Sequence, residues 1–139
     1  MIDCIVLGDS IAVGTQLQRY ECVSYAKGGI NSWQWNKLYG DKDLTAGTVI
    51  ISLGTNDHKF VKTEKELLAM REKVNGKKVF WILPVGNSPE SGVALVDIQN
   101  IIKDIATKYG DTVLPITRVQ QDGIHPSWAG YRELSEKTK

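Results

Sequence analysis

The stretch Ile2-Asp3-Cys4-Ile5-Val6-Leu7-Gly8-Asp9-Ser10-Ile11 decides the fold. A short apolar run closes on a glycine, and a polar pair then opens an apolar helical pattern. A run of this length, too short for a buried helix and bounded by a turn signal, reads as a strand buried on both faces. The expected strand is Ile2–Leu7 and the expected helix Ile11–Tyr20. Strand, glycine turn, helix is half of a βαβ unit, and the question is whether the chain repeats it.

It does. Glu21–Tyr25 is a second short strand, Gly28-Gly29 breaks the chain, and Asn31 is placed to cap a helix running to Tyr39. Gly40–Gly47 is polar and reads as a loop. Thr48–Leu53 is rich in β-branched residues and closes on Gly54, so it is a central strand. Thr63–Val74 carries Leu67, Leu68, Met70 and Val74 on one stripe, with Gly76 as its expected C-terminal stop. Lys78–Val85 is a fourth strand and Asn87–Gly92 a loop. Val93–Tyr109 has helical spacing and ends at Gly110; Thr112–Ile116 is a fifth strand. A last helix begins at Pro126 or Ser127, with proline suited to a first helical turn.

Strands alternating with helices in this order imply a parallel five-stranded sheet with right-handed crossovers and helices on both faces, a three-layer α/β/α sandwich. No linker, repeat or low-complexity segment interrupts it, so residues 1–139 read as a single domain. Open sheets of this kind bind ligands beyond the carboxyl ends of their strands, so informative residues belong just after strands.

Composition narrows the chemistry. Lys and Arg total 17 against 16 acidic residues, a net charge of +1. That balance carries no footprint for nucleic acid or an anionic membrane. No apolar run reaches the length of a membrane span. The start lacks a basic segment and runs straight into a motif, which is unlike a signal peptide and leaves a cytoplasmic location as the expectation. Two cysteines, Cys4 and Cys22, are too few for a disulfide framework and read as buried thiols. Two histidines and two distant cysteines make no metal set, and neither G-x-G-x-x-G nor a P-loop occurs, so no metal or cofactor is expected.

Three clusters follow strand ends: Gly8-Asp9-Ser10-Ile11, Gly54-Thr55-Asn56-Asp57 and Asp122-Gly123-Ile124-His125-Pro126. A serine hydroxyl needs an adjacent base to act as a nucleophile, and the base needs an orienting partner. His58 and His125 are the two candidates. Asp122 stands three residues before His125, a spacing that lets the carboxylate hold the imidazole in one tautomer. The Ser10 backbone N–H, an N–H in the Gly28-Gly29 turn and the Asn56 amide are candidate donors to a developing oxyanion.

The clusters, in this order, resemble the signature blocks of the SGNH (GDSL-like) hydrolases. The resemblance spans nearly the whole chain and implies a flavodoxin-like α/β/α fold. It implies Ser10 as nucleophile, His125 as base, Asp122 as orienter, and an oxyanion hole from Ser10, Gly29 and Asn56. The glycine match is the loosest, and Gly28 is an alternative to Gly29. Ile11 stands where the family's name has leucine.

Each element has a plainer reading. Ser10 alone is as good a helix cap as a nucleophile, and G-T-N-D is ordinary turn chemistry. Asp9 and Asp57 read as loop-shaping carboxylates. His58 has no orienting partner in sequence and reads as a rim residue. Trp33 and Trp128 are candidate substrate-binding aromatics, Trp35 flanks the same block, and Trp81 reads as core. The expected activity is hydrolysis of small-molecule esters with short acyl groups, acetylated carbohydrate among them. The rival is a non-catalytic carbohydrate- or partner-binding domain on the same fold.

Overall fold

The structure is a computed structural model that describes residues 2–86 and 91–139. Its elements run β1 (Cys4–Gly8), α1 (Ser10–Leu17), β2 (Val23–Ala26), α2 (Ser32–Tyr39), β3 (Leu44–Ser52), α3 (Thr63–Lys73), β4 (Val74–Ile82), α4 (Leu95–Tyr109), β5 (Thr112–Leu114) and α5 (Trp128–Lys137). The strands form one sheet in the order β2-β1-β3-β4-β5, every neighbouring pair parallel. This is the doubly wound sandwich expected from the alternation of elements.

The period-two rule divides the core between the sheet's faces. Ile5, Leu7, Val49, Ile51, Val79 and Trp81 point to one face and pack with Trp35 of α2, Leu67 and Met70 of α3, and Ile98, Ile102 and Ile105 of α4. Cys4, Val6, Ile50 and Ile82 point to the other and pack with Ile11 and Ala12 of α1 and Leu134 of α5. All of β1 is buried, as a strand covered on both faces must be.

Several boundaries differ from the expectation. β3 starts at Leu44, so the second half of the polar Gly40–Gly47 segment is strand. There Leu44, Thr45 and Ala46 pair with Val74, Asn75 and Gly76, and Leu44 and Ala46 are buried. Gly76, expected to stop a helix, therefore lies inside β4, which follows α3 without an intervening turn. Ladder formation with a long neighbour outweighed local composition. β5 ends at Leu114 because Pro115 has no N–H for the ladder. α1 ends at Leu17 rather than Tyr20, and α4 begins at Leu95 rather than Val93. Pro126 is not in the first turn of α5: Ser127 is the N-cap, accepting from the Gly130 N–H, and Pro126 bridges Val119 in an isolated antiparallel pair. The expected Asn87–Gly92 loop lies mostly outside the described residues.

The two cysteines are not thiols. Cys4 and Cys22 form a disulfide, with their Cα atoms 4.5 Å apart. β1 and β2 are adjacent, and Ile5 pairs with Val23, so the residue before each strand partner falls side by side with the other. Counting cysteines could not see this pairing, because it depends on strand register.

Candidate functional site

The site sits at the carboxyl end of the sheet, where β1 gives way to α1. Gly8 closes β1 with φ +140°, and a Cβ there would stand 1.8 Å from the Ser52 carbonyl oxygen. Only glycine allows the end of β1 to lie so close to β3. The Asp9 N–H donates to that same oxygen at 3.0 Å. Asp9 then caps α1: its Oδ1 accepts from the Ile11 N–H at 3.0 Å and from the Ser52 hydroxyl at 3.2 Å. Ser10 is thereby fixed as the first residue of α1, where backbone N–H groups have no partner within the helix.

The Ser10 hydroxyl lies 2.8 Å from Nε2 of His125, across 115 residues of sequence. His125 Nδ1 is 2.6 Å from Asp122 Oδ2. Asp122 Oδ1 also accepts the backbone N–H groups of Ile124 at 2.9 Å and His125 at 3.0 Å. These two backbone donors, followed by the imidazole, hold the Asp122 carboxyl down at about 2. It stays ionised although it is open to solvent. The loop is closed behind the imidazole by the Gln120 N–H donating to the His125 carbonyl at 2.8 Å.

The glycine turn faces Ser10. The Lys27 N–H donates to the Gly8 carbonyl at 3.0 Å, which fastens the start of the turn to the end of β1. At the other end, the Asn56 Nδ2 donates to the Ile30 carbonyl at 3.1 Å. Between these anchors, a Cβ on Gly28 would come 3.9 Å from the Ser10 Cβ, while Gly29 turns at φ +76° with open space around it. Gly28 is thus the nearer neighbour of Ser10 by side-chain position. One Asn56 amide hydrogen is committed to Ile30, and the second remains for another acceptor.

Asp57 holds the Asn56 loop in place. Its Oδ1 accepts from the Ser32 N–H at 2.8 Å, and its Oδ2 accepts from the Ser32 hydroxyl at 2.6 Å and the Thr63 hydroxyl at 2.8 Å. One buried carboxylate therefore joins the loop to the first residues of both α2 and α3. Asn31 adds a capping box with Gln34 at the start of α2. Asp9 and Asp57 shape loops, as expected. His58 is turned to its own loop, with Nδ1 accepting the Phe60 N–H at 3.2 Å.

The tryptophans separate. Trp35 and Trp81 are fully buried. Trp33, on α2, lines a cavity of about 370 Å³ together with Gly28 and Gly29. Trp128 is largely exposed at the start of α5 and lines a different depression, with Arg118 and Arg132. Among the described residues no group of three or more His, Cys, Asp or Glu could hold a metal ion, and no helix is long and apolar enough to cross a membrane.

Two features of the site escaped sequence reasoning. Asp9 is fully buried, its Oδ2 has no hydrogen-bond partner among the described residues, and burial pushes its carboxyl up to about 7. Tyr131 of α5 lies over α1 at Gly14, where a Cβ would come within 2.3 Å of the tyrosine side chain. Burial, then the charges of Asp9 and Asp122, push the Tyr131 phenol up to about 12. A glycine one helical turn beyond Ser10 was the signal for this contact, but nothing in sequence named the partner.

No protein-family model and no curated protein sequence matches the chain. Solved structures match it across nearly its whole length. A GDSL-like lipase from Bacteroides thetaiotaomicron is 18% identical, covers 97% of this chain and 84% of its own, and superposes with a TM-score of 0.71. A lipase/acylhydrolase from Enterococcus faecalis is 18% identical, with coverage of 96% and 92% and a TM-score of 0.73. The C-terminal catalytic domain of peptidoglycan O-acetyltransferase A from Streptococcus pneumoniae is 16% identical, with coverage of 96% and 88% and a TM-score of 0.68. The chain has the α/β fold of the GDSL-like lipases and acylhydrolases, the SGNH superfamily.

Proposed function

We propose that this chain, which has the SGNH hydrolase fold, is a serine esterase with Ser10 as nucleophile, His125 as general base and Asp122 as its orienter. The observation that carries the reading is the unbroken relay Ser10 Oγ, His125 Nε2, His125 Nδ1, Asp122 Oδ2, with contacts of 2.8 and 2.6 Å. With Nδ1 protonated and donating to Asp122, Nε2 is free to take the Ser10 proton as Oγ attacks an ester carbonyl. The carbonyl oxygen becomes an oxyanion, and its donors are the Ser10 N–H, an N–H of the Gly28-Gly29 turn and the second hydrogen of Asn56 Nδ2. His125 then passes the proton to the leaving alkoxide. Water repeats the cycle on the acyl-enzyme and releases the acid.

The substrate is a small-molecule ester. Structural likeness to an enzyme named for peptidoglycan O-acetyl transfer supports an acetyl group on a carbohydrate as one candidate. Trp33 beside the glycine turn supports a stacked substrate there. Trp128 lines a separate depression with Arg118 and Arg132, without the glycine turn.

A fluorophosphonate probe tests the reading. It should label the parent protein at Ser10 and leave folded Ser10→Ala unlabelled. Ester hydrolysis should fall about 10³–10⁶-fold in that variant. A protein that is folded, unlabelled and inert toward all esters would instead be a binding domain.

A further inference from the structure

The cavity beside Ser10 has a charge that the esterase reading does not use. Its floor is the Gly28-Gly29 turn, and Gly28 is the residue whose Cβ position lies 3.9 Å from that of Ser10. Its walls include Trp33 and Leu38, and at its rim stand Lys27 and Lys37. Among the described residues no acidic side chain lines it. The ion pairs among the described residues involve neither lysine. Lys37 Nζ rests 5.5 Å from the centre of the Trp33 side chain, a cation–π contact that leaves its three N–H donors free. The nearby carboxylates do not compensate. Asp57 is buried on the Ser32 and Thr63 side chains, and Asp9 is buried beneath α1.

The volume matters too. The depression is open to solvent, and its volume of about 370 Å³ leaves room for more than an acetyl group. An ester that fills it would extend beyond a short acyl chain, meet Trp33 and reach Lys27 and Lys37. A neutral glyceride or alkyl ester would leave both lysines without a counter-charge.

We infer that the preferred substrates are anionic esters, whose carboxylate or phosphate sits between Lys27 and Lys37 while the ester carbonyl reaches Ser10. The inference rests on the esterase reading and adds the substrate class. The anion belongs either to the acyl part or to the alcohol part, and the two are separable by experiment.

Two pairs, each an anion and its methyl ester, distinguish them. The acyl-side pair is the mono-4-nitrophenyl ester of adipic acid and its methyl diester. The alcohol-side pair is 4-acetoxybenzoate and its methyl ester. Each kcat/KM is divided by the ester's own hydroxide rate. At low salt one anionic member should exceed its neutral partner by about fivefold or more, chiefly through KM. The ratio should fall toward one at about 0.5 M NaCl, where screening is strong. It should fall likewise in the Lys27→Gln/Lys37→Gln variant. Ratios of one or less for both pairs, insensitive to salt and to the double substitution, with neutral esters still cleaved, would overturn the inference and leave the esterase reading standing. Failure to cleave any of the four esters would overturn both. The salt series needs only the parent protein, so the outcome does not hang on the variant's folding.

Discussion

Asp122 meets His125 twice: its Oδ2 lies 2.6 Å from the imidazole Nδ1, and its Oδ1 accepts the His125 backbone N–H at 3.0 Å. The carboxylate thus fixes both the side chain it orients and the backbone that carries it. Because the Asp122 carboxyl is held down at about 2, it stays ionised at every pH where the fold is assayed. An acid loss of activity above that value should therefore not report protonation of Asp122. Asp122→Asn should lower kcat by about 10³–10⁴ by favouring the wrong tautomer. An Asp122→Asn protein with unchanged kcat would contradict the orienting role.

The two histidines have opposite surroundings. His125 is bonded to Ser10 and Asp122, while His58 accepts from its own loop. His125→Ala should abolish most activity, and His58→Ala should cost less than about tenfold in kcat/KM. Adding Asp122→Ala to His125→Ala should cost little more, since an orienter without its base has nothing to orient. A severe His58→Ala and a mild His125→Ala would reverse the assignment.

Asn56 is braced by Ile30 with one amide hydrogen and by Asp57 through its loop. Asn56→Ala should reduce kcat by about 10²–10³, or about 3–4 kcal/mol of transition-state stabilisation, with little change in KM. A large rise in KM at constant kcat would place Asn56 in ground-state binding.

Asp9 predicts a stability profile. Burial raises its folded value to about 7 from the 3.8 of a free carboxyl. Between those values the folded chain holds a proton that the unfolded chain has lost, so this contribution to stability is full below about pH 4 and is lost as pH rises through 7. In Asp9→Asn the group no longer titrates. The stability difference should move in the variant's favour by on the order of 4 kcal/mol between pH 4 and pH 8. Denaturant unfolding at both values measures it, and parallel profiles for the two proteins would refute it.

Gly14 predicts a packing defect. A Cβ there meets the Tyr131 side chain at 2.3 Å, so Gly14→Ala should destabilise the fold by about 1–3 kcal/mol through overpacking. Tyr131→Ala in the same chain should relieve part of that cost, giving a non-additive double-mutant cycle. Full additivity would mean that the helices separate rather than clash.

Much of this was legible in sequence because the relevant signals are local. Each strand that closes on a glycine, and each polar residue that caps the next helix, is specified within a few positions, as at Gly8-Asp9-Ser10. Asp122 and His125 are separated by one turn of chain, so their pairing was readable too. What stayed hidden is set by register between distant strands. Leu44–Ala46 become strand only because Val74–Gly76 lie alongside, and Cys4 finds Cys22 only because β1 and β2 pair in parallel. The lysine-rimmed cavity was hidden for a related reason. Lys27 follows β2 and Lys37 sits on α2, and only the fold brings them to one opening.

The disulfide also changes what unfolding can do to Ser10. Cys4 and Cys22 are 18 positions apart, and between them lie the end of β1, the Asp9 cap and the whole of α1. Ser10 is therefore inside a covalent macrocycle. One backbone cut within it leaves the two fragments still joined. In the oxidised denatured chain the loop has already lost closure entropy worth about 3 kcal/mol on the chain-entropy model. His125 and Asp122 lie outside the macrocycle, on free chain. Oxidised refolding then amounts to docking a distant tether onto a pre-closed hoop, whereas the reduced chain must also assemble the hoop itself.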